Sequence, residues 1–465
     1  MILFQSFGRD LKAIQALVGE FMPGRTLRIL EQGLSDDIKE ILVEAPYVDK
    51  DFRDTYYNDF SKRFMDMSRD SIRLHFFLEK NKIIQENYLG FISLRDTKVY
   101  TIGRSYLNPK ALKQFEPGFY CLAKYEVQVK GVDLMIEAFP WMEQDGNVTR
   151  CAHVAVWGVN RYYSQKKTRY SERFLHEITN HDTATRKVPS KGATVEQIAQ
   201  ILSSSKFAPE IYFRESDSKG NFIDDGGHFD RLVYTYIESG LPCVAGLLRN
   251  QHAIAVIGHG EVKNFEEVIK ENDGIIDSSK FFQEIIVSND NHLPYSRAYS
   301  FEHEKNLQFE DIDVLIVPFN EKMYLEAGRL FTKILPIFEK HALKVDGEKL
   351  VRRVLLTSSN AYKSFIEKFS QDDVYKQSQL CMQMPKFIWI AEYSSTEEYR
   401  DELIRHRIIF DATMLNFHDS VYLSIKKQNQ IRNNHKNEQK TYLLKGTVEK
   451  MYKNNLVKVS NEEGI

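Results

Sequence analysis

Two residues of this sequence have the types and positions that thiol chemistry requires. Cys151 opens the apolar segment 151–159, where a helix is predicted to begin, and His252 opens the apolar run 252–258, which is predicted to be a strand. The positive end of a helix dipole favours a thiolate at the helix N-terminus. An imidazole on a neighbouring strand can hold the proton that the thiol gives up. The pair is therefore a candidate nucleophile with its base.

A glutamine ahead of the cysteine can complete the machinery of such a nucleophile. Attack of a thiolate on a carbonyl creates an oxyanion, which must be stabilised by hydrogen-bond donors placed in advance. The side-chain amide of Gln144 and the backbone N–H of Cys151 are the candidate donors. Each donor of this kind is worth about 3 kcal/mol of transition-state stabilisation.

The second nitrogen of the imidazole needs a partner that fixes its tautomer and orientation. The predicted strand 284–287 leads into Asn289 and Asp290, and either side chain can orient His252. Because side chains alternate along a strand, Asn289 faces the same side as the odd-numbered apolar residues, which favours Asn289. A turn beginning at Ser288 would favour Asp290 instead, so both residues stay candidates.

Around these residues, the sequence predicts helices first and the strands of an antiparallel sheet after them. The Thr194 and Gln197 pair predicts a capping box at the start of a helix, and Gly240 is predicted to end the helix 229–239. Strands are predicted around residues 242–245, 252–257 and 284–287. The predicted fold class is therefore α+β.

This order of residues and elements resembles the papain-like cysteine peptidases, most closely the compact bacterial branch that includes bacteriocin-processing peptidase domains. The resemblance covers about residues 132–297 and rests on Gln144, Cys151, the segment 240–245, His252 and the Asn289–Asp290 pair. It implies a helical lobe beside an antiparallel sheet. It also implies hydrolysis of peptide or isopeptide bonds, with Gln144 in the oxyanion hole and Asn289 or Asp290 orienting the histidine.

The resemblance divides the chain into three predicted units. Residues 132–297 form the peptidase domain, residues 1–131 an N-terminal α+β domain without an assigned role, and residues 298–465 a C-terminal α/β domain. The central domain is thus flanked by α/β-type domains, which are expected to select the substrate or gate the cleft, with a regulatory protein as a further partner. Within the flanking units, the segments 59–78 and 348–354 are predicted to be helical.

Two alternatives stay open beside hydrolysis. The same cysteine and histidine can transfer an acyl group to an amine instead of water, which would make the protein a transamidase. A catalytically inactive papain-fold interaction module is the other alternative, in which Cys151 and His252 are structural and the flanking domains bind a partner.

Composition narrows the class of protein. The 465 residues carry 63 Lys and Arg against 65 Asp and Glu, so the net charge of -2 argues against a nucleic-acid partner. The four cysteines lack the short spacings of a zinc site or a disulfide framework, and no metal or cofactor is expected. Neither a signal peptide nor a membrane-spanning apolar run is recognisable, which predicts a cytoplasmic protein. The resemblance implies a protein or peptide as its substrate.

Overall fold

The computed structural model shows a mixed α+β fold. It describes residues 3–62, 66–180, 190–215, 227–299, 307–343, 348–415, 423–427, 430–435, 438–443, 449–453 and 455–461. Within these residues, no helix is long and apolar enough to cross a membrane.

The first part of the described chain contains three helices and eight strands. In chain order these are β1 (Leu3–Phe7), α1 (Leu11–Val18), α2 (Gly24–Gly33), β2 (Glu40–Tyr47), α3 (Lys50–Thr55), β3 (Ser71–Phe77), β4 (Tyr88–Leu94), β5 (Ile102–Leu107), β6 (Gly118–Tyr120), β7 (Ala123–Val129) and β8 (Val132–Ala138).

The middle part begins with four helices interrupted by a single strand. The elements are α4 (Cys151–Lys166), α5 (Leu175–Thr179), α6 (Val195–Ser204), β9 (Phe207–Phe213), α7 (His228–Glu238), β10 (Cys243–Leu247), β11 (His252–Gly260), α8 (Phe265–Glu271), β12 (Ile275–Asp277), β13 (Glu284–Ser288) and β14 (Ser296–Tyr299).

The last part contains short helices between its earlier strands, and its described elements after α13 are all strands. The elements are β15 (Leu307–Gln308), β16 (Val314–Asn320), α9 (Ala327–Arg329), α10 (Leu335–Ala342), β17 (Leu350–Ser358), α11 (Ser359–Phe369), α12 (Asp373–Cys381), β18 (Phe387–Ser395), α13 (Thr396–Arg400), β19 (Leu403–Ile404), β20 (His406–Asp411), β21 (Leu423–Lys427), β22 (Gln430–His435), β23 (Glu438–Leu443), β24 (Glu449–Lys450) and β25 (Val457–Val459).

The first five strands form one antiparallel sheet in the order β1-β2-β3-β4-β5. β3 is its central strand, with β2 and β4 paired to its two edges, and it is buried along its whole length. Its buried polar residues Arg73 and His75 both bind Glu44 on β2. The prediction of a helix over residues 59–78 is therefore wrong for the second half of that segment. Pairing with distant strands outweighed the local pattern there.

The central sheet follows the order β15-β14-β13-β11-β10-β16-β9, with β6 beside β11 and β25 beside β6. Every described pair in it is antiparallel except β14 with β15. β11 forms a hairpin with β10 and also pairs with β13, so the start of β11 lies next to the end of β13. This register brings the beginning of one strand and the loop after the other to the same edge of the sheet.

Helix α4 packs across this sheet against β10 and β11 and is buried from Ala152 to Tyr163. Such all-round burial is typical of a core helix. Gly158 allows the loop before α4 to approach closely, because an added Cβ would lie 3.0 Å from the Pro140 carbonyl oxygen. The buried Arg161 binds Asp51 of α3 at 2.6 Å, which fixes the far half of the helix.

A separate four-stranded sheet of order β12-β17-β18-β20 forms most of the C-terminal part. β17 pairs with β12 on one edge and with β18 on the other, and it is buried over nearly its whole length. The helix predicted over residues 348–354 is therefore wrong, since most of this segment belongs to β17.

Strands pair across both expected domain boundaries. β7 and β8 form a hairpin around residue 131, and β14 spans residue 297. β16, from the expected C-terminal unit, lies beside β10 inside the central sheet. The division into independently folding units stays a prediction, whereas the observed hydrophobic core is continuous across residues of all three segments.

Candidate active site

Cys151 is the first residue of α4, as the sequence predicts. The preceding residue, Arg150, is the N-cap; its backbone N–H donates to Nδ1 of His153 at 3.1 Å, and its Nε donates to the Ser190 carbonyl oxygen at 2.9 Å. His153 therefore caps the helix. The first N–H groups of a helix have no intrahelical acceptor, so the backbone N–H of Cys151 is available to a ligand.

The turn that leads into this helix is fixed by one buried aspartate. Oδ1 of Asp145 accepts backbone hydrogen bonds from Asn147, Val148 and Thr149 at 2.7, 2.6 and 3.2 Å. The Thr149 hydroxyl donates to Oδ2 of Asp145 at 2.8 Å. Such side-chain-to-backbone bonds hold a tight Asx-type turn. The approach to Cys151 is therefore a defined loop.

Gln144 precedes this turn and lines the same cleft as Cys151. Its neighbour Glu143 is fully buried and is held by elements of the N-terminal part. The Ile102 N–H donates to Glu143 Oε2 at 3.0 Å, Arg25 forms an ion pair with Oε1, and Arg95 donates to the Glu143 carbonyl oxygen at 2.6 Å. The backbone on both sides of Gln144 is thereby anchored.

His252 begins β11, as predicted, and lies beside the loop that follows β13. Its Nε2 lies 3.0 Å from Oδ1 of Asn289 and 3.6 Å from Oδ1 of Asp290. The distance to Asn289 is that of a hydrogen bond, whereas the distance to Asp290 is longer than one. Because an amide oxygen only accepts, Nε2 carries the proton in this pair. The structure brings Cys151, His252 and Asn289 together.

The electrostatics of His252 depend on its neighbour across the cleft. Burial alone would lower the pKa of His252, but hydrogen bonding with Cys151 and the negative charge of its thiolate outweigh burial. Together with Asn289 and Asp290, they raise the pKa of His252 to about 9. The protonated form of His252 is consequently favoured at neutral pH.

The carboxyl of Asp290, 3.6 Å from His252 Nε2, has a pKa that is shifted by burial. Burial raises the pKa of its carboxyl to about 6, against the charge of His252, which lowers it. The backbone N–H groups of Asp290 itself and of Gln144 face this carboxyl and lower its pKa, but by less than burial raises it. Because burial removes the charged form from water, the carboxylate of Asp290 is poorly solvated.

Trp141 fixes the loop that carries the orienting amide. Its indole Nε1 donates to the backbone oxygen of Asn289 at 2.9 Å. The backbone N–H of Asn291 donates to Oδ1 of Asn289 at 3.0 Å, on the same oxygen that faces His252. Asn289 is thus held through its backbone and its side chain, which fixes the ring orientation of the histidine.

An open cleft of about 880 Å³ lies in front of Cys151. Its walls come from the segment before α6, from α6 itself and from the β10–β11 turn. Most lining residues are small or apolar: Ala152, Gly192, Ala193, Val195, Ile198, Gly246, Leu247, Leu248, Ala253, Val314 and Ile316. The cleft is large enough for several residues of an extended peptide, and its apolar lining suits apolar side chains.

The other three cysteines have different surroundings. Burial raises the pKa of Cys121 to about 12, and it raises the pKa of Cys243 well above its ordinary range. Cys381 is exposed at the end of α12. All four thiols are free, and Cys151 alone among them lines the cleft.

The sequence had no signal for several of the supporting residues. Trp141, Arg25 and Arg95 act through contacts that are distant in sequence. The Asp145 turn, in contrast, is encoded locally by the run of residues 145–149 and can be recognised as a turn. His153, two residues after Cys151, caps the helix through its Nδ1.

In comparisons with known proteins, the chain matches neither a protein-family model nor a curated protein. Among the described residues, no group of three or more His, Cys, Asp or Glu side chains is arranged to hold a metal ion.

Proposed function

We propose that this protein is a papain-like cysteine peptidase that hydrolyses peptide or isopeptide bonds. The observation that carries the proposal is the contact of Cys151 with His252, whose other nitrogen lies 3.0 Å from Asn289 Oδ1, at the edge of an open apolar cleft. A nucleophile, a base and an orienting group in mutual reach are the minimum that thiol acyl transfer requires.

Acylation begins with attack of the Cys151 thiolate on the carbonyl carbon of the scissile bond. The oxyanion that forms accepts hydrogen bonds from the Cys151 N–H and the Gln144 side-chain amide. The His252 imidazolium then gives its proton to the leaving amine nitrogen. The carbon–nitrogen bond breaks, and the acyl group stays on sulfur as a thioester.

In deacylation, His252 accepts a proton instead of donating one. The now neutral His252 takes a proton from water as its oxygen attacks the thioester carbon, and the carbon–sulfur bond breaks to release the acid and restore the thiolate. An amine in place of the water would make the product an amide, and the protein would then act as a transamidase. Hydrolysis is the proposal because the cleft is open to solvent.

The substrate class follows from the cleft. A protein or peptide in extended form fits a groove that runs between two walls, and small apolar linings such as Gly192 and Ala193 accommodate close approach of a backbone. The free thiols support a reducing compartment, and a cytoplasmic location is part of the proposal. The flanking segments would then restrict which proteins reach the cleft, alone or with a regulatory partner.

A thiol-reactive probe tests the ionic pair directly. We expect iodoacetamide at pH 7 to label Cys151 faster than Cys381, although Cys381 is the more exposed thiol, because the thiolate is the reactive form. His252→Ala should abolish this advantage without changing the labelling of Cys381. Labelling in proportion to exposure would favour the inactive interaction module instead.

Cleavage itself is tested on the full chain with a mixed peptide library and mass spectrometry. We expect new termini that depend on Cys151 and vanish in Cys151→Ala, with Cys381→Ala as the matched control that retains activity. New amide bonds to an added lysine-containing peptide would indicate transamidation. Absence of any product that depends on Cys151 would overturn the proposal.

A further inference from the structure

The wall of the cleft beside Cys151 contains two neighbouring cations. Arg150 directly precedes Cys151, and its Nε donates to the carbonyl oxygen of Ser190 at 2.9 Å. Lys191 follows Ser190, and both Arg150 and Lys191 line the cleft. The hydrogen bond between Arg150 and Ser190 therefore brings the two cations to the same part of the wall.

The segment that carries Lys191 is held against the loop before α4. The backbone N–H of Ser190 donates to the Asn147 carbonyl oxygen at 2.8 Å, and the Ser190 hydroxyl accepts from the Gly192 N–H at 3.2 Å. A Cβ added to Gly192 would lie 3.9 Å from the Cβ of Arg150. Backbone contacts thus set the position of Lys191 relative to Arg150.

Neither cation is neutralised within the part of the chain that the structure describes. The terminal guanidinium nitrogens of Arg150 and the ammonium of Lys191 make no ion pair or hydrogen bond with a described residue. Lys191 is exposed, and Arg150 is half-buried. Both groups can therefore bind a ligand in the cleft.

The carboxylates that flank the cleft are engaged elsewhere. No Asp or Glu among the described residues lines the cleft itself. Each flanking carboxylate has another partner: Glu143 pairs with Arg25, Asp145 with the backbone of its own turn, Glu196 with the Thr194 side chain, Asp290 with His252, and Asp313 with the backbone N–H of Leu248. The charges of Arg150 and Lys191 are therefore not compensated at the wall.

Uncompensated cations favour an anionic group on the molecule that occupies the cleft. In a peptide this group is a carboxylate, either of a Glu or Asp side chain or of the C-terminus. A guanidinium can bind a carboxylate through two parallel hydrogen bonds, and an ammonium adds a point charge. Consecutive Cα atoms lie about 3.8 Å apart, so a carboxylate that reaches Arg150 lies within about two residues of a carbonyl at Cys151.

We propose that Arg150 and Lys191 select substrates that carry a carboxylate within about two residues of the scissile bond. The inference rests on the proposed function, because it assigns a substrate class to the same cleft. It makes Arg150 and Lys191 specificity-determining residues and leaves the roles of Cys151 and His252 as they are. The apolar remainder of the cleft receives the other side chains of the substrate.

Binding to the full-length Cys151→Ala variant tests this selection without turnover. The probes are rhodamine-labelled peptides of Ala and Leu with an amidated C-terminus, in which one Glu occupies each position in turn, and each has a Gln counterpart. One further peptide has a free C-terminal carboxylate and no Glu. We expect fluorescence anisotropy at low ionic strength to show about tenfold tighter binding of the best carboxylate peptide than of its neutral counterpart. High salt should reduce this advantage.

Variants in the same Cys151→Ala background locate the selection. Lys191→Gln is expected to reduce the ratio of carboxylate to neutral affinity about threefold, and Arg150→Gln about fivefold. Lys191→Glu should reverse the preference, so that a Lys peptide binds more tightly than its Gln counterpart. Lys12→Gln, the same loss of charge at an exposed position of α1, should leave the ratio unchanged.

Cleavage assays separate this inference from the peptidase proposal. With the unmodified protein, kcat/KM should favour the same carboxylate peptide over its neutral counterpart. The inference is overturned if carboxylate and neutral peptides bind alike, if none of them binds, or if the Arg150 and Lys191 variants keep the ratio of Lys12→Gln. Selective binding without any product that depends on Cys151 would overturn the peptidase proposal alone.

Discussion

Two histidines on the same strand show how differently one side chain can be used. His252, at the start of β11, forms one hydrogen bond with the neutral side-chain amide of Asn289 and another with the Cys151 thiol. His259, near the end of the strand, has both nitrogens occupied by fixed acceptors, one of them the carboxylate of Glu238. Burial and an acidic neighbour therefore do not by themselves give a histidine the catalytic role that we propose for His252. A histidine becomes a base when one of its nitrogens faces a group that reacts.

Replacing each histidine by alanine should separate these two uses most clearly. We expect His252→Ala to lower kcat/KM for peptide cleavage by about 10³-fold, because the base and acid are lost. His259→Ala should instead lower the free energy of unfolding by about 3 kcal/mol, since Glu238 and Arg353 lose a buried partner. Cleavage kinetics and urea unfolding measure the two effects. Equal losses of activity and stability in both variants would contradict the distinction.

The orienting amide should have the next largest effect. Asn289→Ala is expected to lower kcat/KM about 10²-fold, because the imidazole loses the contact that fixes its orientation toward Cys151. The matched control is Asn291→Ala, whose exposed side chain lies two residues away and whose backbone N–H is retained. Steady-state kinetics on one peptide substrate checks this. A loss of activity confined to Asn291→Ala would exclude the assigned role of Asn289.

The pH profile should follow the charge of His252. The pKa of His252 is raised to about 9, so the imidazolium persists at neutral pH and loses its proton as the pH rises through that value. We expect kcat/KM to fall about tenfold per pH unit above pH 9. In Asn289→Ala the alkaline limb should move to lower pH, because one cause of the raised pKa is removed. An alkaline limb near pH 6.5 in the unmodified protein would be inconsistent with the pair.

Asp290 should affect stability more than turnover. Its pKa is raised from 3.8 to about 6, so the folded protein holds this proton more tightly than the unfolded chain, and stability is lost as the pH rises through this window. We expect Asp290→Asn to unfold with about 2–3 kcal/mol more free energy than the unmodified protein at pH 7.5. Near pH 4 the difference should nearly disappear. Urea unfolding at both pH values tests this, and a stabilisation that does not change with pH would contradict it.

The sequence predicted those parts of the site that short apolar runs encode. The helix beginning at Cys151, the strand beginning at His252 and the strand ending before Asn289 are all observed, because each has a continuous apolar segment bounded by polar residues. The capping box of Thr194 and Gln197 was likewise predictable, since its two hydrogen bonds join residues three apart.

Contacts between residues far apart in the sequence could not be predicted from local patterns. β3 and β17 were predicted to be helical over part of their length, and they are strands because partners far along the chain occupy both of their edges. The indole of Trp141 reaches Asn289 across the fold, which no spacing reveals. Whether the three expected domains fold independently stays a prediction.

The two guanidiniums that hold Glu143 limit which fragments of this chain can keep the candidate site intact. Arg25 and Arg95 belong to the N-terminal part, yet they fix the residue directly before Gln144. A gene fragment beginning at codon 132 would encode the proposed nucleophile, base and orienting amide, but it would lack the two arginines that hold the residue before Gln144. Recombination that moves the proposed reaction centre into another polypeptide must therefore transfer the N-terminal segment with it.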